Sequence, residues 1–117
     1  GAIIVSTPQD IALIDARKGI DMFRRMKVPI IGLIENMSAF VCDGCGKEHH
    51  PFGHGGAKAE AERLGVPFLG EIPLDLAIRV AGDSGAPIVA AKPESPQARA
   101  FWDIVDRLVS VEEEAEA

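Results

Sequence analysis

The residues best suited to chemistry in this 117-residue chain lie in one segment, 36–54, which holds both cysteines and all three histidines. Cys42 and Cys45 form a CxxC pair, a spacing that allows two thiolates to bind one metal centre. We expect Gly44 to let the backbone curl so that both sulfurs point the same way. The pair is therefore the first candidate for a ligand site.

Three interpretations of the CxxC pair remain open at this point. The first is a zinc site in which His49, His50 or His54 completes a tetrahedral shell of sulfur and nitrogen ligands. The second is a dithiol–disulfide couple, but such couples usually place the first cysteine at a helix N-terminus, and this pair lies within a loop. The third is an iron–sulfur cluster, which usually needs four thiolates, so that two copies of the chain related by a two-fold axis would have to share it.

The histidines also have plain structural interpretations. His54 lies in the glycine-rich segment 52–56, where it either caps the following helix or serves the site. We expect His49 and His50 to face solvent. Whether any histidine is a metal ligand stays open.

Composition and charge exclude some function classes. The chain has 12 Lys and Arg against 18 Asp and Glu, a net charge of -6, which disfavours a nucleic-acid partner. Its apolar runs are much shorter than the roughly 20 residues that span a bilayer, and it has no recognisable secretory leader. We expect no membrane span and a cytoplasmic location.

Because the chain opens at Gly1 with what reads as a buried strand, we also expect upstream sequence to be missing.

A strand, a helix and a second strand make up the first part of the chain. The β-rich run 2–6 is followed by Thr7 as helix cap and Pro8 as first helical residue, and an apolar face repeating every three to four residues extends that helix to Met26. The run 29–35 is apolar without alternation, as in a strand covered on both faces. This order predicts a βαβ unit.

The second part predicts further alternation of helices and strands. After the irregular segment 36–54 we expect a helix from Gly55 to Leu64, a strand at 68–72, a short helix to Ala81, a weaker strand at 87–91 and a final helix capped by Ser95. The final helix should turn Ala98, Phe101 or Trp102, Val105 and Leu108 inward. We expect the acidic tail 111–117 to be disordered.

Together these elements predict one α/β domain, residues 1–110, with three layers and a mostly parallel sheet. Thr7, Asn36 and Pro73 each follow a predicted strand, at the edge where such sheets bind ligands. The Asn36 amide could bind a purine base, and Pro73 and Asp75 could frame one. Alternatively, Asn36 forms a turn and Asp75 caps a helix.

Six ordered motifs resemble the Mrp family, called ApbC in some bacteria. They cover the chain from Gly1 to about Val109 and read, in order, IVSTPQD at 4–10, DARKG at 15–19, ENMS at 35–38, CxxCG at 42–46, FGHGG at 52–56 and FLGEIPLD at 68–75.

The resemblance implies a P-loop NTPase with a Rossmann-like fold, related to the MinD and ParA group, that binds an iron–sulfur cluster and transfers it to apoproteins. It implies that Cys42 and Cys45 bind a four-iron, four-sulfide cluster that bridges a homodimer, with zinc as a conceivable substitute. It also implies that Asn36, Pro73 and Asp75 contact the adenine of ATP, bound with magnesium in the complete protein.

The chain departs from that family in one large respect, since no glycine-rich Walker A loop and no Walker B aspartate occur in its sequence. Without backbone amides and a lysine to hold phosphates, hydrolysis has no site. We therefore expect the chain alone to bind ATP weakly or not at all and not to hydrolyse it. An uncovered sheet edge should also favour self-association, observable as a dimer or larger assembly by light scattering.

Overall fold

The computed structural model describes residues 1–42 and 44–116 and shows an α/β arrangement. Its elements, in chain order, are β1 (Ala2–Ser6), α1 (Asp10–Arg25), β2 (Ile30–Asn36), β3 (Phe40–Val41), β4 (Glu48–His49), α2 (Gly56–Leu64), β5 (Phe68–Ile72), α3 (Leu76–Asp83), α4 (Ile88–Ala91) and α5 (Pro96–Glu116). No helix in the described part of the chain is both long enough and apolar enough to cross a bilayer.

The main sheet has three parallel strands in the order β1-β2-β5. The central strand β2 is buried from Gly32 to Glu35, because helices cover both of its faces. This confirms the parallel sheet predicted from the non-alternating run 29–35. At the edge of the sheet, β1 leaves Ile3 and Val5 exposed.

Two small cores hold the three layers together. On one face of the sheet, Leu33 of β2 packs with Leu13 of α1 and with two alanines of α2, Ala57 and Ala61. On the other face, Ile34 and Leu69 pack against Ile104 of α5. Burying a side chain such as Leu33, which is 0% exposed, contributes about 1.5–3 kcal/mol, so these clusters fix the helices on the sheet.

An ion-pair network joins α1 to α2. Glu60 is only 5% exposed and lies between Arg17 of α1 and Arg63 of its own helix, within hydrogen-bonding distance of both guanidinium groups. The hydrogen bond from Arg17 is the largest of the effects that hold the pKa of the Glu60 carboxyl below its ordinary value. This carboxylate therefore stays ionised between the two helices.

The start of α1 differs from the prediction. The helix begins at Asp10, with Gln9 in the cap position and no side-chain cap, whereas we expected Thr7 as the cap and Pro8 as the first helical residue. Instead, the Thr7 hydroxyl donates to Gln9 Oε1 at 3.1 Å. Pro8 is buried in the loop between β1 and α1.

The end of α2 and the start of α5 agree with their sequence signals. Gly65 ends α2 in the left-handed conformation, with φ 71°, as a glycine after a helix commonly does. At α5, Ser95 Oγ accepts a hydrogen bond from the Ala98 N–H at 3.1 Å. These two boundaries follow from local chemistry alone.

Several other expectations about the elements need correction. The run 87–91 is not a strand: Ile88–Ala91 is helix α4, which packs against α3 and α5. Among the described side chains of α5, the buried residues are Ala98, as predicted, and Ile104, which was not predicted, while Val105 is 43% exposed. The acidic segment from Val111 continues α5 as far as Glu116 rather than forming a disordered tail; Ala117 lies outside the described residues.

Candidate functional site

The two cysteines lie in the loop of a small β-hairpin that the sequence did not predict. In the part of the chain that the structure describes, strands β3 and β4 pair only with each other, antiparallel, with Phe40 opposite His49 and Val41 opposite Glu48. Each of these strands has only two residues, which is too short for an alternating pattern to be recognised in the sequence. The hairpin lies between β2 and α2 along the chain and carries the candidate metal ligands at its tip.

Backbone hydrogen bonds close the hairpin loop around the thiols. The Cys42 N–H donates to the Lys47 carbonyl at 3.1 Å, and the Gly46 N–H donates to the Cys42 carbonyl at 2.7 Å. Gly46 has φ 68°, a conformation that suits glycine. Cys42 is half-buried and Cys45 is exposed, so the loop holds both thiols in one turn at the protein surface.

Stacked histidines anchor the base of the hairpin. The rings of His50 and His54 are 4.2 Å apart between centroids, with an interplanar angle of 25°. The His50 Nδ1–H donates to the Ser38 carbonyl at 3.0 Å, and Ser38 N–H donates in turn to Ile72 at the end of β5. His50 is thus half-buried and bonded, contrary to our expectation that it faces solvent, whereas His49 is exposed.

His54 does not cap α2. The helix starts after Gly55, and its Ala57 N–H donates at 3.1 Å to Oε1 of Glu35, a carboxylate that is 0% exposed at the end of β2. Because Oε1 of Glu35 accepts a hydrogen bond from a backbone N–H in the first turn of α2, Glu35 takes the capping role that we considered for His54. In the sequence, the signal that could have identified Glu35 is its position as a single acidic residue at the end of the apolar run 29–35.

The histidines and cysteines do not form a joint ligand set in this structure. Within residues 1–42 and 44–116, no group of three or more His, Cys, Asp or Glu side chains is placed to hold a metal ion. His50 Nε2 lies 3.5 Å from Glu48, and His54 Nε2 lies 3.9 Å from Glu71. Besides the bond of His50 to the Ser38 carbonyl, the described contacts of the two rings are thus with carboxylates and with each other.

The residues considered for purine binding do lie together. Asn36, Pro73 and Asp75 line one cleft of about 230 Å³ at the carboxyl ends of the strands, with Met37, Leu74, Ile78 and Arg79 completing its wall. Met37 has φ 55°, an uncommon conformation for a residue other than glycine, and such strain tends to be found at functional sites.

The polar groups of this cleft also have structural roles. Asn36 Oδ1 accepts a hydrogen bond from the Met37 N–H at 2.9 Å, which forms the turn after β2. Asp75 caps α3 by accepting from the Ala77 N–H at 2.8 Å, and its second oxygen accepts from Gln97 at 3.1 Å. Both structural alternatives weighed from the sequence are therefore present, and a ligand role would be additional to them.

Backbone hydrogen bonds connect the cleft to the hairpin. The Leu74 N–H, next to Pro73, donates to the Ala39 carbonyl at 2.7 Å. The Ser38 N–H donates to the Ile72 carbonyl at 3.1 Å. The loop that follows β5 is thus bonded directly to the residues that lead into the thiol hairpin.

This sheet, its layers and the cleft at the carboxyl ends of its strands define an α/β protein with the fold of P-loop NTPases. Several solved structures share it, and two of them have nucleotide bound. A nucleotide-binding protein from Archaeoglobus fulgidus, in complex with ADP and with cobalt, is 34% identical with a TM-score of 0.67 over 83% of this chain and 39% of its own. The septum site-determining protein MinD of Pyrococcus horikoshii, complexed with Mg-ADP, is 30% identical with a TM-score of 0.67 over 94% and 42%.

The family model of the NUBPL iron-transfer P-loop NTPase, of the ParA group, matches residues 1–109, and the chain belongs to this family. The match confirms the family resemblance found in the motifs. The iron–sulfur cluster transfer protein NUBPL of Dictyostelium discoideum is 50% identical over 109 residues, which are 93% of this chain. They are only 34% of that relative, so the chain spans about a third of the length of the curated protein that it matches.

Proposed function

We propose that this chain is the cluster-binding part of an ATP-binding carrier that holds an iron–sulfur cluster as cargo and delivers it to apoproteins. The observation that carries the proposal is the hairpin loop, in which hydrogen bonds from Cys42 and Gly46 hold two thiols in one turn at the surface. Cargo that must leave needs such an accessible site. The family to which the chain belongs, and the transfer protein that it matches, support this reading.

The cluster is proposed to bridge two protomers. An iron–sulfur cluster usually takes four thiolates, and each chain has two cysteines. A two-fold axis through the hairpin tips would bring Cys42 and Cys45 of both copies around one four-iron, four-sulfide cluster. The absence of a three-ligand group within the described residues of one chain fits a site that two chains complete.

Transfer is then an exchange of ligands without a change of oxidation state. A thiol of the recipient loses its proton and binds an iron, while the bond from that iron to Cys45 breaks and the Cys45 sulfur takes up a proton. We expect Cys45 to leave before Cys42, because Cys45 is exposed and Cys42 is half-buried. Repetition at each iron moves the intact cluster to the recipient.

The cleft beside the hairpin is proposed to hold the adenine of ATP, with Asn36, Pro73 and Asp75 in contact with the base. The bonds from Ser38 to Ile72 and from Leu74 to Ala39 would pass a shift of the cleft directly to the hairpin. Groups for the phosphates and magnesium are not among the motifs of this chain, so we expect it to show no ATP hydrolysis by itself. The cytoplasmic location stays a prediction.

Anaerobic reconstitution with iron and sulfide tests the proposal. We expect a brown protein with about four irons per two chains, and we expect Cys42→Ser together with Cys45→Ser to remove the iron and the colour. His49→Ala, at an exposed position of the same hairpin, is the matched control and should keep the cluster. A colourless protein with stoichiometric zinc would instead establish the alternative, a zinc-binding interaction module without catalytic activity.

A further inference from the structure

An exposed apolar surface flanks the thiol hairpin. Its members are two hairpin residues, Phe40 and Val41, and two residues of α3, Leu76 and Val80; we call these four side chains the apolar pad. They are 38%, 59%, 63% and 50% exposed, respectively, and line a cleft of about 340 Å³ between the hairpin and α3. Apolar side chains that gather in this way on a surface mark a contact with another molecule.

Within residues 1–42 and 44–116, the cleft of the pad presents no unpaired charge. Asp75 is the one ionisable residue among the described residues that line it. Both of its carboxylate oxygens already accept hydrogen bonds, one from the Ala77 N–H and one from the Gln97 side chain. Two molecules could therefore meet here without burying a charge that lacks a partner, which would be costly.

We propose that the pad is the surface through which two copies of this chain contact each other and close the shared thiol site. This inference rests on the proposed function. Val41 is covalently next to Cys42, and neighbouring Cα atoms are about 3.8 Å apart, so a molecule that adds thiolates to the centre at Cys42 comes close to the pad. The pad is thus continuous with the cluster site.

A second copy fits the pad better than an unrelated partner because of symmetry and charge. Across a two-fold axis a patch meets its own image, so a charged patch would meet like charge, whereas an apolar patch is complementary to itself. Each copy carries a net charge of -6, and the copies repel wherever acidic surfaces face each other. The pad provides an apolar contact beside the loop that carries the thiols.

Matched valine substitutions test the inference. Val80→Asp places a carboxylate in the pad, and Val109→Asp places the same group on α5 outside it; the two valines are 50% and 49% exposed. Leu76→Asp is a second pad variant that should fold, because a carboxylate suits the first turn of α3. Each variant is reconstituted anaerobically, and its mass by sedimentation, its iron content and its circular dichroism are measured.

We expect both pad variants to keep their helix content, to dimerise at least about tenfold more weakly and to lose most of their iron at equal protein concentration. Val109→Asp should match the wild type. If the wild type binds a cluster and the pad variants keep both dimer and cluster, the inference is overturned while the proposed function stands. The inference is also overturned, and the proposed function also stands, if the pad variants keep dimer and cluster but no longer deliver the cluster to an apoprotein, because the pad would then contact the recipient. If the wild type itself binds no cluster, the proposed function fails and the inference fails with it.

Discussion

Gly56 is a position where we expect one added methyl group to disturb the packing of α2. It is the first residue of α2, and an ideal Cβ built on it would lie 2.6 Å from the Pro8 carbonyl oxygen and 3.1 Å from Leu13 Cδ1. The nearest atom belongs to the backbone of the loop between β1 and α1, which cannot turn aside as a flexible side chain could. Alanine at this position therefore forces α2 and that loop apart.

The expected cost of Gly56→Ala follows from two opposing effects. Overpacking a tight contact destabilises by about 1–3 kcal/mol. Alanine favours the helix over glycine by about 0.8–1.0 kcal/mol at an interior position, and by less in the first turn. We therefore expect a net loss of about 1–2 kcal/mol, which for a chain of this size lowers the Tm by at least about 4 °C.

Gly19→Ala is the control for this measurement. Gly19 lies within α1, and a Cβ at this position would meet nothing within 4 Å. We expect this variant to be stabilised by about 0.5–1 kcal/mol, because alanine loses less conformational entropy in a helix. Urea unfolding followed by circular dichroism compares both variants with the wild type. If Gly56→Ala is as stable as the wild type, close packing against Pro8 does not fix the position of α2.

Two further predictions concern charge and stacking. The lowered pKa of Glu60 means that its bond to Arg17 stabilises the fold fully above the unfolded pKa of about 4.3 and ceases to do so as the pH falls through the folded pKa. The difference in urea midpoint between wild type and Glu60→Gln should therefore shrink from neutral pH to about pH 3; a constant difference contradicts the role of the charge. The second prediction concerns the stack of His54 on His50. We expect His54→Ala to lose a reconstituted cluster several-fold faster than the wild type, because the lost ring contact is worth roughly 1 kcal/mol, and we expect His54→Phe to restore the wild-type rate. If both variants lose the cluster equally fast, stacking is not the cause.

The sequence was sufficient for the parallel core because local signals and burial agree there. The unbroken apolar run of β2, the glycine after α2 and the Ser95 cap each have a direct physical cause, and each is found where it was predicted. The run 87–91 failed because a short apolar segment suits a buried strand or a buried helix equally, and tertiary packing selects α4.

The candidate site was predictable in part. The rule that ligand loops follow parallel strands correctly brings Asn36, Pro73 and Asp75 to one cleft, although their contact with a base is still a prediction. The stack of His50 on His54 could not be predicted, because it depends on how an irregular loop folds. The thiol hairpin could not be predicted for a related reason, because strands of two residues each are too short to show the alternating pattern of a β-strand.

The hairpin strands β3 and β4 hydrogen-bond to each other and not to the parallel sheet. A two-stranded unit of this size is marginally stable by itself, so contacts at its base contribute much of its order. Its loop can therefore change in length or composition during evolution while the three-layer scaffold stays intact. Affinity for the proposed cargo and stability of the domain can then be selected almost independently.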